Sequence, residues 1–293
     1  MDPKGFAAAI GHVLTSDRLL QDFRLEYAVV QGPRYGLAYE YEERLTVEGS
    51  GQARLFRRRS PADTEVLPPG SYAGAITKEE LLAFLRLAQN APLHAVPALV
   101  PSPQDPVFTL TILANRKLFA FRWSPPQPPV PPDLEPVLDT LSIWSRRACP
   151  KPLWSLSLKA QSVQVTGEGL EAVLRFENAG EEPIYMVHPS SPGPVDLKGL
   201  SIRHGVYPKE VPGVTPLPMQ VTVDELAVSI LPDIELVPVA AGRPFDYTLR
   251  AEAPFGEGGG RVGIFEYRTY VFPTGAVGLP VFSGAVFSAE TAL

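Results

Sequence analysis

The sequence predicts an α+β protein in two domains. Residues 1–150 should form an N-terminal antiparallel sheet with two covering helices, and residues 151–293 an all-β, Ig-like sandwich. Three observations predict this. A chain of 293 residues has the length of two ordinary domains. Helical periodicity is strong before residue 150 and gives way to period-two alternation after it. Proline is abundant, at 33 residues, about twice its usual share of roughly 5%. It breaks helix interiors and central strands, so it favours short strands joined by stiff loops.

Residues 4–14 predict a short helix with Phe6, Ile10 and Leu14 on one face. In FRLEYAVV, Phe23, Leu25, Tyr27 and Val29 alternate with polar residues, as in a half-buried strand. AYEYEERLTV continues the β signal, EGSGQ supplies a hairpin tip over Glu48–Gln52, and ARLFRR returns. TKEELLAFLRLAQN is the clearest helix. Thr77 and Glu80 form a capping box, and Leu81, Phe84, Leu85 and Ala88 form the apolar stripe. VFTLTIL and LFAFRW flank the turn ANRK as a second hairpin. After the proline-rich link SPPQPPVPPD comes a helix with Leu134, Val137, Leu138, Leu141 and Trp144 on one side. Pro132 and Pro136 fall in or before its first turn, where a missing N–H costs little.

CPKPLW marks the domain boundary. Beyond it LEAVLRFENAG, PFDYTLRAEA, RVGIFEYRTYVF and LPVFSGAVFS read as strands, separated by the turn signals NAGEEP, VAAGRP and GEGGG. Seven or eight short strands over this length fit two packed sheets.

The net charge is −6. Residues 1–150 carry 16 Lys+Arg against 16 Asp+Glu, and residues 151–293 carry 10 against 16, so the acidic excess lies in the second half. Neither half has the basic surplus that phosphate contacts require, so nucleic acid is not an expected partner. The single Cys149 permits no internal disulfide and fits a reducing, cytoplasmic setting. MDPKGFAAAIGHVL is a poor secretion signal, and no apolar run reaches membrane-spanning length.

The motifs argue against an enzyme. His12, His94, His188 and His204 show no metal-ligand spacing, so no metal and no cofactor is expected. Cys149 follows SRRA at a helix end, which raises a thiol pKa, although Arg146 and Arg147 act oppositely. Gly256–Arg261 lacks the Lys-Ser/Thr ending and following helix of a phosphate loop. Glu42/Glu43, Glu79/Glu80 and Glu181/Glu182 are adjacent in sequence and so point apart. Arg57, Arg58 and Arg59 end a hairpin strand whose partner carries Glu40, Glu42 and Glu43. Cross-strand ion pairing is the first reading of these arginines, and a protein-docking patch the second.

Leu37–Trp144 resembles the emfourin-type inhibitors of thermolysin-like metalloproteases. The resemblance rests on a polar hairpin, a helix opening ITKEEL, the loop LHAVP, DPVFTLTILANRKLFAFRW and a terminal helix after PPDLEPVL. Residues 155–272 are similar to the Ig-like intracellular proteinase inhibitors through LRFENAGEEPI and PVAAGRPFDYTL. Both resemblances imply inhibition of another protein, and neither carries over an inhibitory motif. The expected function is therefore a non-enzymatic binding protein, an inhibitor or immunity-type partner of another bacterial protein. Its candidate contact residues are Arg57, Arg58, Arg59, Trp123, Glu181 and Glu182. The alternative is an assembly component that joins a larger particle through its β-sandwich.

Overall fold

The computed structural model describes residues 3–15, 23–31, 41–58, 68–93, 106–124, 132–166, 169–191, 200–206, 219–221, 235–251, 261–273, 282–289 and 291–292. The chain divides into two units. The first is Met1–Ser60 with Ser71–Leu153, and the second is Pro61–Gly70 with Trp154–Leu293. The architecture is α+β, dominated by antiparallel sheet.

In the first unit, β1 (Phe23–Gln31), β2 (Tyr41–Glu48), β3 (Gln52–Arg58), β4 (Gly70–Ala75), β5 (Val107–Ala114) and β6 (Lys117–Trp123) are ordered β4-β3-β2-β1-β5-β6. From β3 to β6 every pairing is antiparallel. The period-two pattern fixes which side is wet. Leu25, Leu45, Val47, Leu55, Leu110 and Ile112 share one fully buried face, while Arg24, Arg44, Glu48 and Arg54 stand on the other. Burying each such aliphatic side chain stabilises the fold by about 1.5–3 kcal/mol.

Among the described residues three helices belong to this unit: α1 (Pro3–Thr15), where a short helix is expected over residues 4–14, and the two expected covering helices α2 (Lys78–Asn90) and α3 (Glu135–Arg147). The first is a full structural member. It buries Phe6, Ala9, Ile10 and Val13, and Phe6 meets the rings of Phe119 and Phe121 edge-on at 5.0 and 5.4 Å. α2 starts at the predicted capping box, where Thr77 Oγ1 accepts from Glu80 N and Glu80 Oε2 accepts from Thr77 N. It packs Phe84 on Trp144 of α3 at 5.0 Å.

β4 escapes a sequence reading because GSYAGA looks like loop. Its small residues are a packing requirement. A Cβ on Gly74 would lie 1.6 Å from the Ala148 carbonyl oxygen. The β2–β3 tip likewise needs Gly51, at φ +85°, whose carbonyl accepts from Ile76 N at 2.8 Å.

CPKPLW is not simply a boundary. Lys151 opens β7 (Lys151–Thr166), a 16-residue strand with Pro152 near its start and a register shift between Ala160 and Ser162. The first unit ends at Leu153, within β7. In the second unit, β7 pairs with β8 (Gly169–Asn178), which pairs with β13 (Phe245–Ala251). A second sheet runs β11 (Met219–Val221), β10 (Leu200–Val206), β14 (Arg261–Pro273), β9 (Ile184–Val187) and β12 (Leu236–Val239). β15 (Phe282–Phe287) and β16 (Thr291–Ala292) also pair with β14. The predicted β8 alternation holds, with Leu170, Ala172, Leu174 and Phe176 buried. Phe176 meets Tyr267 of β14 edge-on at 5.2 Å. Asn178 pins the following turn. Its Nδ2 donates to the carbonyls of Glu182 and Val239 at 2.8 and 3.1 Å, and its Oδ1 accepts from Ser155 N and Gly180 N.

Candidate functional site: a basic sheet edge

Arg57 and Arg58 turn to opposite faces of the hairpin. Strand alternation turns Arg57 to the buried face beside Leu55, opposite Glu43 in the β2–β3 register. Arg57 Nη2 donates to Glu43 Oε2, with side chains 3% and 6% exposed. The pair is therefore a buried ion pair and not part of a wet face. Burial first, and the nearby Glu43 carboxylate second, push the Tyr27 phenol far up. Arg57 Nε has no partner among the described residues.

On the outer face the charges neutralise one another in the registered rows. Arg24 lies 3.6 Å from Glu48, Arg44 lies 3.1 Å from Glu42 and 3.8 Å from Glu26, and Arg58 lies 3.9 Å from Glu42. Arg59 lies outside the described residues. Trp123 is buried. It stacks on Phe108 at 5.6 Å, with Tyr27 beyond at 6.4 Å. Glu181 and Glu182 are exposed on the turn that Asn178 holds. Of the six expected contact residues, the structure brings only neighbours in sequence together.

A further group of cations without an ion pair among the described residues, as Arg54 is on the hairpin, lies at the β5–β6 turn and on β6. This strand ends the sheet, and among the described residues nothing pairs with its far side. Its inner residues Phe119, Phe121 and Trp123 are buried, whereas Lys117, Leu118, Ala120 and Arg122 are exposed, Leu118 at 69%. Pro3–Thr15, Val107–Ala114 and Lys117–Trp123 contain no Asp or Glu. The side chains of Arg116, Lys117 and Arg122 make no ion pair or hydrogen bond among the described residues. The β5–β6 turn adds a second peculiarity. Asn115 and Arg116 both have positive φ, 48° and 60°. A two-residue turn of this kind favours Asn-Gly, and a non-glycine residue in the left-handed region costs roughly 1–2 kcal/mol. An arginine therefore stands where the backbone favours glycine. The sequence signal for this site was the absence of acids from two consecutive strands, which the triple arginine at 57–59 outshone.

The remaining chemistry-bearing residues do not converge. His188 Nδ1 lies 2.6 Å from Ser190 Oγ and accepts from Ser190 N, with Phe245 and Tyr247 edge-on to its ring. His12 ends α1, His204 lies in β10, and His94 is outside the described residues. Burial pushes the Cys149 thiol up to about 11, the opposite of what a nucleophile needs. Gly256–Gly260 lies outside the described residues, and Arg261 begins β14. Among the described residues no cluster of three or more His, Cys, Asp or Glu could hold a metal, and no helix is long and apolar enough to cross a membrane.

No family model matches the chain, and no curated protein matches it. Among solved structures, the thioester domain of the Enterococcus faecium TIE86 protein aligns at 9% identity over 93% of this chain and 96% of its own, with a TM-score of 0.17. A likeness of that size carries no argument about fold or function.

Proposed function

We propose that this chain is a non-enzymatic protein-binding module, an inhibitor or immunity-type partner acting in the cytoplasm, with its second unit an Ig-like sandwich. The observation that carries the reading is the β6 edge: a strand paired on one side only among the described residues, bearing exposed Leu118, Lys117 and Arg122 next to Arg116 of the turn, with no ion pair to these cations among the described residues. A solvated strand edge normally protects itself or recruits another chain. The second unit's terminal strand gives less support to the assembly alternative. On β13, Asp246 is bound by Arg175 in two hydrogen bonds of 2.8 Å, and Arg250 by Glu171 at 2.9 Å. Charge there is already satisfied.

The test is capture on the immobilised full chain, identification of the retained protein, and return of the purified pair to gel filtration and an assay of the partner's activity. The expected result is a stable complex of defined stoichiometry in which the partner is blocked. A lone monomer that retains nothing contradicts the reading, and concentration-dependent self-assembly favours the assembly role instead.

A further inference from the structure

We infer that the β6 edge receives an extended segment of the partner as an added strand, and that this segment is acidic at both ends and apolar between. The inference rests on the protein-binding reading and names the chemistry of the partner. Three features select it. Alternate residues of β6 turn their backbone N–H and C=O groups away from β5, offering a ladder to an incoming strand. Arg116 and Lys117 stand at one end of β6 and Arg122 near the other, with exposed Leu118 and Ala120 between. The five-residue separation of Lys117 and Arg122 spans about 17 Å of strand, so carboxylates about five positions apart meet both ends.

Other occupants fit less well. A second copy added antiparallel would bring six cations together, with no carboxylate on the described strands beside them, and like charges across paired strands repel. A nucleic acid would meet only this narrow basic strip on a chain of net charge −6. Arg116 is the specificity-determining residue. It stands at φ 60°, where glycine would relieve the backbone, so its guanidinium sits at this position against the turn's own preference.

Fluorescence anisotropy on the full chain tests this. The probe is a labelled peptide of ~10 residues with alternating Val and Thr between two aspartates about five positions apart. It is run beside the same peptide with lysines for aspartates, and beside oligothymidylate. The acidic peptide is expected to bind at least about tenfold more tightly than the lysine peptide at low salt, and K117E/R122E should abolish that preference. Arg116→Gly should weaken peptide binding by about threefold or more while raising the urea midpoint, a pairing of opposite signs that general destabilisation cannot produce. Equal binding of both peptides, or acidic-peptide binding indifferent to K117E/R122E, overturns the inference. Tighter binding of oligothymidylate, lost in the same variant, overturns it in favour of a polyanion site. If the partner is still captured by K117E/R122E, the edge is the wrong site while the binding-module reading stands. If the wild-type chain retains no partner, that reading fails instead.

Discussion

The β2–β3 hairpin and the β6 edge belong to one sheet and treat their cations in opposite ways. In the hairpin, Arg44, Arg57 and Arg58 each face a carboxylate, one of them inside the protein. At the edge, Arg116, Lys117 and Arg122 face none among the described residues. The difference teaches that cation density along a sequence does not locate a binding surface. Register decides which charges are consumed internally, and a charge left over on an open strand is the one that remains for a partner.

The largest expected effect breaks the hairpin side of the comparison. Arg57→Met takes the Arg57 cation away from the buried Glu43 carboxylate and should cost about 3–5 kcal/mol in urea unfolding. The double variant E43L/R57M should recover most of that loss, because it removes the buried carboxylate as well. A double variant as unstable as the single one would show that the pair itself, and not its charge balance, holds β2 to β3.

The edge should respond the other way. K117E/R122E touches exposed side chains and should move the unfolding free energy by no more than about 0.5 kcal/mol, yet abolish the preference for the acidic peptide. On the outer hairpin face, Arg44→Ala should cost less than about 1 kcal/mol, fading with added salt, since exposed pairs are weak and screened. The smallest effect is on the other terminal strand, β13. The Arg175 guanidinium, hydrogen-bonded to Asp246, holds that carboxyl below its ordinary value. Its folded value thus lies under its unfolded one, so the stabilisation is present above the unfolded value and lost as pH falls through the folded one. Asp246→Asn should slightly flatten the decline of the urea midpoint between neutral and acidic pH; an unchanged slope would show that the exposed pair contributes nothing.

Much of the fold was legible in the sequence because its signals are local. The Thr77–Glu80 capping box, the stripes of α2 and α3, and the alternation of β1, β5 and β8 all appear in the structure where the residue pattern placed them. β4 and β7 were not legible for non-local reasons. Gly74 is small because Ala148 approaches it, and Lys151-Pro152 opens a strand although proline signals a break. The helical pattern of residues 4–14 was visible, but that it seats Phe6 on Phe119 and Phe121 was not. For the candidate site the hairpin pairing of glutamates with arginines could be read, but the burial of Glu43 with Arg57 depends on which face α3 covers. The β6 edge depends on strand order, which no local pattern encodes.

Hydrogen exchange on the full chain, with and without the acidic peptide, compares both regions in one measurement. The account predicts slowed exchange across Leu118–Trp123 and no change across Tyr41–Arg58. Slowing confined to Tyr41–Arg58, with β6 unaffected, would contradict it.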